Sequence, residues 1–92
     1  MTNLGLKELA PLKQLKELVL THTKITDTGL KELAELHRLQ TLDLSWTKVT
    51  DEGLKELVAL KHLQKLYLNE TEVTSAGVAN LEQALPKCKI SR

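Results

Sequence analysis

Histidine and cysteine are the side chains of this chain whose chemistry could make a reactive site. The histidines could bind a transition metal, and the single cysteine could act as a nucleophile once it is deprotonated. The residues are His22, His37, His62 and Cys88. The histidines do not recur at one position, and no carboxylate or cysteine joins them at the spacing of metal ligands. Cys88 falls at a core position of the repeat described below, which favours a small buried side chain. We predict no catalytic, metal or cofactor site.

Other signatures of function are also missing from the sequence. It contains no GxxxxGK[ST], GxGxxG, GxSxG or HExxH motif. Lys and Arg number 13 against 12 Asp and Glu, and a formal charge of +1 gives no general field for nucleic acid or anionic membrane. No signal-like apolar run or stretch of roughly 18 apolar residues is present. With one cysteine, this predicts a soluble, cytoplasmic chain that is not an enzyme and binds neither nucleic acid nor membrane.

An internal repeat of 24 residues predicts the elements that would position a binding site. Its most regular columns are Leu6, Leu30, Leu54; Leu18, Leu42, Leu66; Thr23, Thr47, Thr71; and Gly5, Gly29, Gly53, Gly77. In the first part of each unit the apolar residues recur at every third position, which predicts a helix that tends towards 3₁₀ at its end. In the second part they alternate with polar residues, which predicts a short strand.

Threonine and aspartate precede each predicted helix, as in Thr26-Asp27 and Thr50-Asp51. Short side chains with oxygen atoms can accept hydrogen bonds from the free N–H groups of a first helical turn. We expect the glycine two residues later to allow a tight backbone turn into the helix. Units of this kind bury their leucines only when they stack, with the strands paired in a parallel sheet.

The strand segments LKELVLTHTKI, LQTLDLSWTKV and LQKLYLNETEV resemble the leucine-rich repeat signature LxxLxLxxNxL, with threonine where the family most often has Asn or Cys. The 24-residue period and the TDxGL segment are most similar to the bacterial subtype, which is related to cysteine-containing and GALA-type repeats. The resemblance covers almost the whole chain. It implies an α/β right-handed solenoid with a short parallel sheet on its concave side and helices on its convex side. We expect the threonine hydroxyls to satisfy part of the loop backbone, as Asn does in the family.

We predict a single domain with five parts: a partial repeat (1–5), three full repeats (6–29, 30–53 and 54–77) and a C-terminal capping repeat (78–92). In the last unit the segment from helix to strand reads as two residues shorter, with Cys88 and Ile90 in the places of Leu66 and Leu68. At the N-terminal face we expect exposed leucines and an unpaired strand edge. These leucines are Leu6, Leu9, Leu15, Leu18 and Leu20. The chain is therefore predicted either to form a homo-oligomer through this face or to be the last piece of a longer solenoid.

Residues that alternate with the core leucines of each strand point to the concave side of the sheet, and they vary from repeat to repeat. Trp46 and Tyr67 both belong to this variable set, and such side chains often dominate binding energy. The repeat does not require Trp46, because His22 and Glu70 stand at its position in the neighbouring units. We predict a protein-binding surface, with local packing of the two aromatics left open as the alternative. Its residues are Val19, His22, Thr41, Asp43, Ser45, Trp46, Lys65, Tyr67 and Asn69.

The sequence therefore predicts a non-catalytic protein–protein interaction module with a protein partner. The resemblance implies an alternative, since related repeats occur in substrate adaptors of ubiquitin ligases and in bacterial effectors. In that role the chain would be the recognition part of a larger enzyme complex, which requires an F-box-like or catalytic segment that the sequence does not show. A third interpretation is a truncated or engineered scaffold that folds and self-assembles.

Overall fold

Helices and strands alternate along the chain, in a computed structural model that describes residues 2–92. The elements are α1 (Asn3–Lys7), β1 (Glu17–Val19), α2 (Asp27–Leu33), β2 (Thr41–Asp43), α3 (Asp51–Leu57), β3 (Lys65–Tyr67), α4 (Ser75–Ala84) and β4 (Lys89–Ser91). The four strands form one parallel sheet in the order β1-β2-β3-β4. Each strand therefore pairs with the next one in sequence, as the repeat predicts.

The register of the sheet follows the 24-residue period. Leu42 pairs with Leu18 on one side and with Leu66 on the other, and Leu66 pairs with Ile90. Leu42 and Leu66 are fully buried. Because side chains alternate along a strand, the residues on either side of this central position point away from the core. These outward side chains form the sheet face: Glu17, Val19, Thr41, Asp43, Lys65, Tyr67, Lys89 and Ser91.

The internal helices are shorter than the leucine pattern suggests. Helix α2 ends at Leu33, yet Leu36 and Leu39 are fully buried as well. The Leu36 N–H bonds to the Leu33 carbonyl at 2.9 Å, and the Leu39 N–H bonds to the Leu36 carbonyl at 3.1 Å. Bonds to the third preceding residue are of the 3₁₀ type, which keeps every third side chain on one side of the chain. The expected 3₁₀ character is therefore confirmed, in turns that follow the helix.

The aspartates at the helix starts link one repeat to the next, so the prediction that they cap their own helices is wrong. Asp27 is the first residue of α2, and its Oδ1 accepts a hydrogen bond from the Thr50 N–H at 2.7 Å. The Thr50 hydroxyl donates to Oδ2 of the same carboxylate. The pair Asp51–Thr74 makes the same two bonds between neighbouring repeats. In the pair Asn3–Thr26, Asn3 Oδ1 accepts from the Thr26 N–H, and Asn3 Nδ2 donates to the Thr26 hydroxyl. We call these three pairs the Asp–Thr ladder. On folding, the threonine N–H groups lose their hydrogen bonds to water, and the bonds between repeats replace them.

The threonines of the ladder also act as helix caps at two of the four helices. The Thr50 hydroxyl accepts from the Glu52 N–H, and the Thr74 hydroxyl accepts from the Gly77 N–H, both at 3.3 Å. Thr26 makes no such side-chain bond. The predicted capping role is confirmed for Thr50 but not for Thr26.

The recurring glycine has a different purpose from the one expected. Gly53 lies inside α3, and no glycine among residues 2–92 has a positive φ. A Cβ atom on Gly53 would overlap the Asp27 carboxylate and lie 2.8 Å from Cδ1 of Leu30. The prediction of a tight glycine turn is therefore wrong. Glycine is needed because the carboxylate of the preceding repeat occupies the space of a side chain.

The C-terminal unit keeps the full repeat length, which corrects the expected shortening. Ile90 pairs with Leu66, 24 residues earlier, so Ile90 does not take the place of Leu68. Helix α4 is ten residues long, three more than α3, and this extension moves the buried positions to Leu85 and Cys88. The chain regains the register at Ile90 because only one residue separates it from Cys88.

The N-terminal face is covered more completely than the sequence predicts. Leu6 and Leu20 are buried, and the side chain of Leu6 reaches the next repeat at Gly29. Leu9, Leu15 and Leu18 are half-buried. The exposed leucines of this end are Leu4, at 74%, and Leu12, at 50%. Strand β1 is an edge strand, as predicted.

Candidate protein-binding surface

The loops at the carboxyl ends of the strands share one hydrogen-bonding pattern. The hydroxyl of Thr47 donates to the Leu44 carbonyl at 2.7 Å. Thr23 and Thr71 make the equivalent bonds to the leucine three residues earlier, both at 2.8 Å. The expectation that threonine hydroxyls satisfy part of the loop backbone is confirmed. The loop is therefore held in the same way in each repeat.

The residue before each of these threonines has a left-handed backbone. The φ angles are 57° for His22, 61° for Trp46 and 57° for Glu70. Residues with a Cβ atom rarely adopt this region, because the Cβ approaches the following carbonyl. The conformation recurs in three units with unrelated side chains, so it belongs to the repeat. It holds the side chain at this position outside the core, and all three side chains are exposed.

Two of these loop residues stack on one another. The His22 and Trp46 rings lie with their centroids 5.2 Å apart and their planes inclined by 14°. Trp46 is still 53% exposed. The indole therefore does both things that the sequence left open: it packs on the neighbouring loop, and it presents a large aromatic surface to solvent. Stacking restricts the conformations of the exposed ring, and a side chain restricted in this way loses less entropy when it is contacted.

The sheet face lies next to this aromatic stack. Val19 is 58% exposed, which is high for a large apolar side chain. Tyr67 is half-buried between Asp43 and Ser91, its neighbours in register. Thr41 is also half-buried, and Lys65 is exposed. The sheet face thus combines apolar, aromatic and charged groups at positions that the core does not use.

Ser45 does not belong to the accessible surface, and the prediction is corrected for this residue. It is only 6% exposed, and its hydroxyl accepts from the Asn69 backbone N–H at 3.2 Å and from the Asn69 side-chain amide at 3.4 Å. The backbone is turning into the loop at this point, so Ser45 faces the next repeat. Asn69 is half-buried by the same contact.

Charge is distributed unequally between the two ends of the sheet. The amino-end segments (11–17, 35–41, 59–65 and 83–89) carry seven Lys or Arg residues against Glu17 and Glu35. The carboxyl-end segments (19–28, 43–52, 67–76 and 91–92) carry Lys24, Lys48 and Arg92 against six Asp or Glu residues. The rest of the chain has three basic and four acidic residues. The near-zero net charge is therefore the sum of a basic end and an acidic end of the sheet.

The three histidines and Cys88 are the residues that could supply metal binding or nucleophilic chemistry. Within residues 2–92, no group of three or more His, Cys, Asp or Glu side chains is placed to hold a metal ion. Cys88 is buried, and burial raises the pKa of its thiol, which disfavours the reactive thiolate. None of the helices in this part of the chain has the length and apolar character needed to cross a bilayer.

The repeats match known proteins in sequence and in structure. The Leucine Rich repeat family profile matches residues 13–34 and 36–58. No curated protein sequence matches the chain. A chain of the Chaetomium Mex67:Mtr2 subunits superposes with a TM-score of 0.78 at 19% identity, over 98% of this chain and 69% of that one. A leucine-rich repeat protein of Leptospira interrogans superposes with a TM-score of 0.65 at 27% identity.

The Leptospira match covers 94% of this chain and 27% of the length of that protein. Stacked units of this kind are typical of protein–protein interaction modules and are in general not catalytic. Three findings agree with one another: the family match over two units, the parallel strand order and the superposition on a protein of the same repeat type. The chain is a leucine-rich repeat protein.

Proposed function

We propose that this chain is a non-catalytic protein-binding module whose partner contacts the sheet face and the adjoining carboxyl-end loops. The contact residues are Val19, His22, Thr41, Asp43, Trp46, Lys65, Tyr67 and Asn69. A cytoplasmic location is part of the proposal, supported by a single cysteine that is free and buried.

The observation that carries this proposal is the exposure of Trp46. Its position accepts His22 and Glu70 in the neighbouring units with the same backbone conformation, so the fold has no need of an indole there. The ring nevertheless keeps 53% of its surface in water. Exposed aromatic and apolar side chains such as Trp46 and Val19 are the usual anchors of protein interfaces. Tyr67 supplies a second anchor on the sheet face.

Replacing the anchors with residues that the repeat already uses tests the proposal without disturbing the fold. Trp46→His introduces the residue of the preceding unit, and Tyr67→Val introduces the counterpart of Val19. The parent and this double variant are used as baits in a lysate of the source organism. The control bait is Lys7→Gln with Lys31→Gln, two exposed helix residues. A protein retained by the parent and the control, but not by the anchor variant at equal melting temperature, supports the proposal. Equal retention by all three baits contradicts it.

A second candidate function, self-association, is favoured by the exposed leucines at the N-terminal face. Leu12 is 50% exposed, whereas its counterparts Leu36 and Leu60 are fully buried by the preceding repeat. We propose that a second copy covers this face, with the two β1 edges antiparallel. The opposite end is less suitable as the occupant, because Ser75 replaces the ladder aspartate there and accepts a bond from Arg92 at 2.8 Å. A contact between two identical faces also closes into a symmetric dimer.

Sedimentation analysis of the parent and of a Leu4→Gln, Leu12→Gln variant tests this second candidate. We expect a concentration-dependent dimer for the parent and a monomer for the variant. A control variant with Lys7→Gln and Lys31→Gln should dimerise like the parent. A parent that stays monomeric across the whole concentration range contradicts self-association.

A further inference from the structure

Two lysines stand directly opposite each other on the sheet face. Lys65 of β3 and Lys89 of β4 are cross-strand neighbours, and both are exposed. Like charges at opposed positions of a sheet destabilise the pairing. The two lysines line a shallow depression of about 240 Å³, together with Tyr67, Ile90 and Ser91. The fold therefore tolerates an unfavourable pair of charges beside one of the proposed aromatic anchors.

A second basic depression lies at the amino end of the first strands. It has a volume of about 390 Å³ and is lined by Lys16, Arg38, Gln40 and His62. All seven basic residues of the amino-end segments are exposed. Of these, only Lys13 lies within 4.0 Å of a carboxylate in residues 2–92, that of Glu35 at 3.6 Å. Within residues 2–92 the other six lie more than 4.0 Å from any carboxylate, and because they are exposed an external anion can reach them.

We propose that the partner presents an acidic segment to the amino end of the sheet face, with carboxylates over Lys65 and Lys89 and an apolar or aromatic side chain on Trp46. This inference rests on the proposed function, since it concerns the same surface and adds the chemistry and direction of the partner. The acidic residues of the carboxyl-end segments reinforce the direction, because they repel an acidic segment placed the other way round.

A protein segment fits this surface better than a nucleic acid does. Four strands spaced about 4.8 Å apart make a sheet only about 14 Å wide. A phosphate backbone that crossed it along the strands would run from the basic end onto the acidic loops around Glu70 and Glu72. The aromatic residues that could stack with bases are Tyr67 and Trp46, which lie towards that acidic end. A peptide that runs along the strands can change from acidic to apolar residues between the basic end and the acidic end of the sheet. A nucleic acid carries its negative charge throughout.

The direct test measures the binding of a labelled synthetic peptide by fluorescence anisotropy. The probe has about ten residues, with a run of glutamates at one end and Leu and Trp at the other, and a control peptide has Gln in place of each Glu. Low salt, about 50 mM, keeps the charges of the surface effective over about a Debye length. The protein variants are Lys65→Gln with Lys89→Gln, and Lys7→Gln with Lys31→Gln. Both remove the same charge, the first from the sheet face and the second from the helices.

We expect the parent to bind the glutamate peptide about tenfold more tightly than the glutamine peptide. The Lys65→Gln, Lys89→Gln variant should lose most of this preference, and the Lys7→Gln, Lys31→Gln variant should keep it. Equal binding of both peptides by the parent, or an equal loss in both variants, overturns the inference. A single-stranded DNA oligonucleotide that displaces the peptide through the same lysines, and binds more tightly than it does, would make nucleic acid the occupant and also overturn it.

The same variants separate a failure of this inference from a failure of the proposed function. In the lysate experiment, a partner lost by the Trp46→His, Tyr67→Val bait but retained by the Lys65→Gln, Lys89→Gln bait leaves the proposed function intact and overturns the acidic segment. If no captured protein depends on the aromatic anchors, the proposed function fails whatever the peptides show.

Discussion

The imidazole of His22 and the indole of Trp46 lie in a stacked pair with their centroids 5.2 Å apart. They come from neighbouring repeats, and both residues have left-handed backbones. The loop geometry that the repeat imposes thus brings two side chains together that are 24 residues apart. Their contact forms an aromatic surface at the edge of the sheet face, and the contribution of the stack to stability can be measured.

Removing the stack should have a small effect on stability. We expect Trp46→Ala to lower the free energy of unfolding by less than about 1 kcal/mol, because the ring is largely in water and aromatic pairs contribute about 0.5–1.5 kcal/mol. A double-mutant cycle with His22→Ala, followed by urea denaturation, should give a coupling energy of about 0.5 kcal/mol. A loss above about 2 kcal/mol for Trp46→Ala would show that the indole is mainly structural.

Glycine at the left-handed loop position should raise the free energy of unfolding. Glu70→Gly removes the steric cost of φ 57° and increases the flexibility of the unfolded chain. The first effect exceeds the second, so we expect a gain of about 0.5–1 kcal/mol in urea denaturation. Glu72→Gly is the matched control in the same loop, where φ is not positive, and it should lower stability. The same direction of change in both variants would contradict the assignment of strain to this position.

The glycine inside each helix should not tolerate alanine. In an ordinary helix Gly→Ala is stabilising by up to about 1 kcal/mol. Gly53→Ala should instead destabilise the chain by about 1–3 kcal/mol, because its Cβ meets the Asp27 carboxylate and Leu30. Adding Asp27→Ala should recover part of the loss, and Thr28→Ala, at an exposed position in α2, is the control. A stabilised Gly53→Ala variant would contradict the close packing of the Asp–Thr ladder.

The ladder also predicts a dependence on pH. The hydrogen bonds from the Thr74 side chain and backbone lower the pKa of Asp51 from its usual value of 3.8, and Arg92 adds a smaller effect. A carboxyl whose pKa is lower in the folded state stabilises the fold above its unfolded pKa. That contribution is lost as the pH falls through the folded pKa. We therefore expect the parent to lose more stability below about pH 4 than Asp51→Asn does.

Asparagine is the matched replacement because Asn3 already occupies this position in the first unit. Its Oδ1 accepts from the Thr26 N–H at 3.0 Å, and its Nδ2 donates to the Thr26 hydroxyl at 2.8 Å. Asp51→Asn should keep both bonds at neutral pH without a titrating group. Thermal unfolding of parent and variant between about pH 2 and pH 7 makes the comparison. Parallel stability curves over that range would contradict the role of the carboxylate.

The repeat, the strand register and the core columns could be predicted from the sequence because each is a local pattern copied at a fixed interval. The hydrogen-bond partner of Asp27 could not be predicted, because its carboxylate accepts from Thr50 in the next unit. A rule for helix caps considers only one helix at a time. The predicted register of Cys88 and Ile90 was also wrong. Helix α4 is three residues longer than α3, which moves two buried positions along the chain before the 24-residue period resumes at Ile90.

The exposure of the candidate binding residues was predicted in part. Variation between repeats identified Trp46 and Tyr67, but the pattern of alternation does not show where a strand turns into its loop, so Ser45 was placed on the wrong side. The separation of charge was missed because the net charge of the whole chain adds the two ends of the sheet together. Grouping the charges by their position in the repeat would have revealed it from the sequence.

The central claim is that the sheet face and its loops bind a protein partner through Trp46 and Tyr67. Its most direct measurement is quantitative mass spectrometry of proteins captured by the parent and by the Trp46→His, Tyr67→Val variant, at matched melting temperatures. The account predicts at least one protein that is enriched about tenfold or more by the parent, a ratio that corresponds to about 1.4 kcal/mol of binding free energy. Identical sets of captured proteins in equal amounts would contradict it.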